Sequence, residues 1–66
     1  MLDPGEVLTL HRQFQYHIEQ GIPVEVYRDG VHVDIGLLTA VDTHFAELQG
    51  TLYNRSRFTF VSRPGY

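Results

Sequence analysis

The densest group of residues able to do chemistry is Tyr53-Asn54-Arg55-Ser56-Arg57-Phe58-Thr59-Phe60, where arginines alternate with aromatic side chains. Bases stack on aromatic rings and guanidinium planes while arginine charge holds phosphate, so the pattern points to single-stranded nucleic acid. Phe58 and Phe60 share one face of a strand and read as core. Tyr53, Arg55 and Arg57 are the candidate RNA-binding residues of this run. The histidines His11, His17, His32 and His44 raise metal binding instead. His11 and His17 are six apart and sit on different helix faces, against the i, i+4 pairing of helical zinc motifs. His32 and Asp34 share a strand face, but two ligands make no site without a third. The histidines therefore read as polar-face residues, and no metal or other cofactor is expected. Catalysis finds no constellation either. Ser56 and Ser62 lack a glycine-elbow context, and nothing fixes the separation of Asp34 and Asp42. An enzyme is not expected.

Charge is polarised along the chain. The net charge is -3, yet residues 1–47 hold all eight acids with only Arg12 and Arg28, while residues 48–66 hold Arg55, Arg57 and Arg63 and no acid. All five basic residues are arginine, whose planar fork suits phosphate and stacks on rings. The acidic total argues against strong non-specific nucleic-acid binding, and the arginine-bearing end argues for a local anion site.

These side chains need elements to place them. Asp3-Pro4-Gly5-Glu6 reads as a helix start, with Asp3 as cap and Glu6 completing a capping box. Val7, Leu10, Phe14 and Ile18 recur at spacings of three and four, which predicts a helix over about residues 4–20. Gly21 ends it and Pro23 forbids continuation. Strands are expected at about 23–28, 31–41, 44–49, 51–55 and 57–62. Asp29-Gly30 supplies a hairpin turn, with Gly30 as its structural glycine. Gly36, inside a strand pattern, predicts a sharp bend. A tight return is expected near Gly50, and Arg63-Pro64-Gly65 ends the ladder.

The order of these features resembles the Sm-like proteins, the group that includes bacterial Hfq. Val24-x-Val26, Gly30 and Gly36-x-Leu38-x-x-Val41-Asp42-x-x-Phe45 are similar to the first Sm signature, and Tyr53 to Val61 falls where the second belongs. Gly21-Ile22-Pro23-Val24 is similar to the helix-to-strand junction of Hfq. Ala46 stands where many Sm proteins have Asn, and Arg55 or Arg57 is the nearest substitute for the Lys-His pair of Hfq. The resemblance implies a fold that is mainly β with one N-terminal α-helix: a small five-stranded, strongly bent antiparallel barrel over residues 23–62. It implies that Asp42 is the turn-fixing acid and that Tyr27, an aromatic used on one ring face, joins Tyr53, Arg55 and Arg57 as a candidate RNA-binding residue.

A chain of 66 residues is one domain, near the size where one core is marginal and partners supply the rest. It has no cysteine and therefore no disulfide framework. No apolar run approaches the ~20 residues of a membrane span and no signal-peptide pattern opens the chain, so no membrane association and a cytoplasmic setting are the expectations. Unprotected strand edges, taken with the family's habit, imply a homo-oligomeric ring. The expected function is a non-enzymatic ring exposing repeated Arg and Tyr sites to single-stranded RNA. The alternative is a structural, coat-type or protein-interaction module that uses the same barrel without nucleic acid. A partner protein docked on the outer helix face is a third possibility.

Overall fold

The computed structural model describes residues 5–66. Strand β1 (Val7–Leu8) precedes helix α1 (His11–Gln20), followed by β2 (Val24–Arg28), β3 (Val31–Gly36), β4 (Leu38–Val41), β5 (Phe45–Leu48), β6 (Thr51–Asn54) and β7 (Thr59–Ser62). The chain is mainly β with one helix. Two antiparallel sheets are formed, one ordered β1-β7-β2-β3 and the other β4-β5-β6.

Two turns set the registers. Asp29 and Gly30 both take positive φ (50° and 77°), as do Gln49 and Gly50 (48° and 95°). Positive φ at both central residues twists a two-residue turn in the sense the flanking strands require. Arg28 therefore faces Val31 across one hairpin, and Leu48 faces Thr51 across the other. A register shift between Val26 and Tyr27 leaves Val33 without an opposite residue. Val31 and Val33 are both exposed, at 63% and 46%.

The helix expected over 4–20 begins only at His11. Tertiary pairing overrides the helical periodicity upstream. Gly5 N–H donates to the Ser62 carbonyl at 2.9 Å, Ser62 N–H donates to the Glu6 carbonyl at 2.7 Å, and Val7 and Leu8 lie opposite Val61 and Phe60. Val7 thus leaves the apolar stripe for a strand, and Leu8 takes the buried position. Asp3, expected to cap the helix, lies outside the described residues. Within them the start is held by Gln13, whose Oε1 accepts from the amides of Thr9 and Leu10, both at 2.8 Å. Gly21 ends the helix in the left-handed region, and the Gly21 and Ile22 amides return to the carbonyls of Ile18 and His17.

The single strand expected over 31–41 is interrupted at Leu37, and its two halves belong to different sheets. With β1 added and that strand divided, the five expected strands become seven, and the pairing ladder closes no barrel among the described residues. Gly36 ends β3 without a positive φ, so its backbone does not demand glycine. What it supplies is room: a Cβ there would lie 2.7 Å from Gln49 Oε1 and 3.7 Å from Leu48 Cδ2, across the gap to the second sheet.

The core gathers Leu8, Phe14, Val24, Val26, Leu38, Ala46, Leu48 and Phe60. Phe14 meets Phe60 edge to face at 5.2 Å, pinning α1 to β7. His17, expected on a polar face, is 1% exposed. Its Nδ1 lies 2.7 Å from the Gln13 carbonyl and its Nε2 2.7 Å from Ser62 Oγ, which is itself fully buried. A carbonyl only accepts, so Nδ1 carries the proton and Nε2 accepts from the Ser62 hydroxyl. The pair is a satisfied polar tie between helix and sheet.

Candidate nucleic-acid interface

The end of β6 runs into a tight polar loop built on Asn54. Its side-chain Oδ1 accepts from the Ser56 amide (2.9 Å) and hydroxyl (2.7 Å), and its carbonyl accepts from the amides of Arg57 and Phe58 (both 3.1 Å). This geometry orients Arg55 inward and leaves Arg57 exposed, with no ion-pair partner among the described residues. Arg57 and Phe58, expected to open the last strand, belong to this loop.

Arg55 is the best-organised candidate. Its amide donates to the His44 carbonyl at 2.7 Å, continuing the β5–β6 pairing. Its guanidinium lies 4.4 Å above the Phe14 ring. One terminal nitrogen, Nη1, donates to the Asp42 carbonyl and to His11 Nδ1 at 3.2 Å. Those contacts fix the plane of the guanidinium and leave its remaining N–H groups for a ligand. Beside it opens a cleft of about 370 Å³ lined by Val7, Leu8, Thr9, Thr43, Ser56, Phe58 and Thr59, with Phe14 buried beneath the guanidinium. A cation, hydroxyl-bearing residues and the Phe58 ring suit an anionic group carried on a flat ring.

The carbonyl that receives Arg55 depends on the turn at Asp42. Its Oδ1 accepts from the amides of Phe45 (2.7 Å) and His44 (2.8 Å), and its own amide donates to the Phe45 carbonyl at 2.9 Å. Those two amide bonds, with smaller help from the charges of His44 and Arg55, hold its carboxyl below the ordinary carboxylate range. Asp42 thus sits at a turn, and the carbonyl of that turn receives Arg55.

The other candidates lie elsewhere or are already engaged. Tyr53 packs edge to face on Phe58 at 5.0 Å, and its hydroxyl donates to Asp34 Oδ2 at 2.7 Å, tying β6 to β3 across the two sheets. The hydrogen bond to Asp34, then burial and the Asp34 charge, push the Tyr53 phenol up to about 12. Arg28 lies 5.6 Å from the centre of the Phe58 ring. Tyr27 packs edge to face on His32 at 5.3 Å, beside Glu25, which holds His32 at 3.2 Å and also pairs with Arg63. Tyr27 and Arg55 share no partner, so the four candidates do not form one patch.

Phe14 and His11, which complete the Arg55 site, were not legible in the sequence. They lie 41 and 44 residues from Arg55, and helical spacing marks Phe14 only as core. The described residues form no cluster of three or more His, Asp or Glu that could hold a metal ion, and they contain no helix long and apolar enough to cross a membrane. Compared with known proteins, the chain matches no family model, no curated sequence and no solved structure.

Proposed function

We propose that this chain is a non-enzymatic, Sm-like module that assembles edge to edge into a homo-oligomeric ring and binds single-stranded RNA at the Arg55 cleft. Two features support the Sm-like reading. The strands run β7-β2-β3 and β4-β5-β6, with β3 and β4 as the two halves of one bent strand, and α1 packs over them. The RNA reading rests mainly on one observation, the Arg55 guanidinium stacked on Phe14 beside a cleft of hydroxyl-bearing residues. Phosphate would meet the free guanidinium N–H groups, and a base would lie against Phe58 or the guanidinium plane. Arg57, exposed on the same loop, adds charge at the mouth. Tyr53 contributes through its packing on Phe58, since its hydroxyl is committed to Asp34.

A second reading has an observation of its own. The net charge is -3, and Val31, Val33, Phe45 and Leu52 present exposed apolar surface on or beside sheet edges. That combination suits an assembly or protein-interaction module that takes no nucleic acid. Fluorescence anisotropy with labelled A-rich and U-rich oligonucleotides separates the two. The RNA reading expects affinity that falls steeply with salt and weakens for both oligomers in Arg55→Ala. Flat titrations with both oligomers would leave the assembly reading.

A further inference from the structure

We infer that His11 is a second, proton-dependent phosphate ligand of the Arg55 cleft. The inference rests on the RNA reading above and adds a ligand and a pH dependence to that site. Arg55 Nη1 lies 3.2 Å from His11 Nδ1. A guanidinium only donates, so Nδ1 accepts here, and the imidazole is neutral with its proton on Nε2. The same Nη1 also donates to the Asp42 carbonyl. Both of its N–H groups are thus used inside the chain, and the one spent on His11 is the one a proton can release.

Protonation puts a hydrogen on Nδ1, where the Arg55 N–H already points. Two cationic donors then face each other, and the contact turns from attraction to repulsion. An anionic oxygen that accepts from both relieves it. His11 is exposed, so its ring can turn aside to admit that oxygen. A phosphate drawn in this way brings a proton from solvent onto His11, and each event favours the other. Imidazole ordinarily titrates between pH 5 and 8, a range in which the arginines keep their charge.

The charged groups around His11 favour phosphate as that acceptor. Among the described residues His11 has no carboxylate partner; the ion-paired histidine is His32, on Glu25. On the helix itself Arg12 follows His11, and the first turn holds no acid. Strands β1, β4 and β7 carry no charged residue. Glu6, just ahead of β1, lines a separate pocket with Arg12 and Tyr16. The β6–β7 loop adds Arg57 to Arg55, and the β4–β5 turn brings Asp42 and His44. Asp42 Oδ1 is committed to two backbone amides, and its charge already acts on Arg55 and His44. Phosphate is therefore the freer acceptor for a protonated His11.

Fluorescence anisotropy of the full-length chain with the labelled A-rich and U-rich oligonucleotides, at constant ionic strength, tests this at about pH 5.5 and about pH 8, near the two ends of the imidazole range. The wild type should bind at least ~5-fold tighter at the lower pH, the lower end of ordinary coupling between sites. His11→Gln keeps an acceptor for Arg55 but takes up no proton. It should bind like the wild type at the higher pH and lose most of the pH dependence, while His32→Gln and His44→Gln keep it. Nitrogen NMR of the unliganded chain at the higher pH should show His11 with its proton on Nε2, a preference that disappears in Arg55→Ala. Equal wild-type affinity at both pH values, or wild-type pH dependence in His11→Gln, overturns the role of His11 and leaves the RNA reading standing. A proton on Nδ1, or loss of the dependence in His44→Gln instead, overturns it equally. No binding at either pH overturns both.

Discussion

Buried polar pairs carry more of this protein's organisation than their number suggests. Ser62→Ala strips the hydroxyl from His17 Nε2 and leaves a buried acceptor unsatisfied, which should cost about 1–3 kcal/mol in a denaturant titration. Unchanged stability would mean that water replaces the hydroxyl. Tyr53 and Asp42 make opposite predictions in pH. The Tyr53 phenol is raised in the folded state, so its contribution is complete below about pH 10, the ordinary tyrosine value, and fades as pH rises towards 12. Tyr53→Phe should lose that part of the alkaline slope. The Asp42 carboxyl is lowered, so its contribution is present above about pH 4 and fades as pH falls through the lowered value. Asp42→Ala should lower Tm at pH 7 and converge on the wild type in acid. The turn role of Asp42 was legible through the family resemblance, but the Ser62–His17 and Tyr53–Asp34 partnerships were not. Ser62 lies 45 residues from His17 and Tyr53 lies 19 from Asp34, so only the folded chain brings them together.

Local chemistry announces the elements well wherever it also decides them. Asp29-Gly30 and Gln49-Gly50 specify their turns because few residue pairs accept two positive φ angles, and both hairpins were readable. The helix end was readable for the same reason, at Gly21. Its beginning was not, because Val7 and Leu10 fit a helical stripe while residues 5–8 gain non-local hydrogen bonds on β7. Gln13→Ala should test the observed start. It removes the acceptor for the Thr9 and Leu10 amides and should cost about 0.5–2 kcal/mol by thermal or denaturant unfolding. No loss would show that solvent serves those amides as well. Gly36 was legible as the place where the long strand passes from one sheet to the other, and what it supplies there is room. Its close neighbour is the mobile end of the Gln49 side chain, so Gly36→Ala should cost about 1 kcal/mol or less. A large loss of Tm would mean that Gln49 cannot swing aside.

At the scale of the whole molecule, the nine buried apolar side chains among the described residues make a small core, and chains of 66 residues gain much from a partner. Polarised charge supplies the rest of the argument, since the acid-free segment 48–66 contains the loop that aims Arg55 at Phe14. In the proposed ring, assembly and RNA binding would reinforce each other, because the Arg55 cleft would be repeated and one strand could engage several copies at high effective concentration. Sedimentation velocity of a labelled single-stranded RNA with excess full-length chain, at low and at high salt, tests both together. The account predicts RNA moving with a multimer at low salt and released from a still-intact multimer at high salt. RNA sedimenting free at low salt beside a monomeric chain would contradict it.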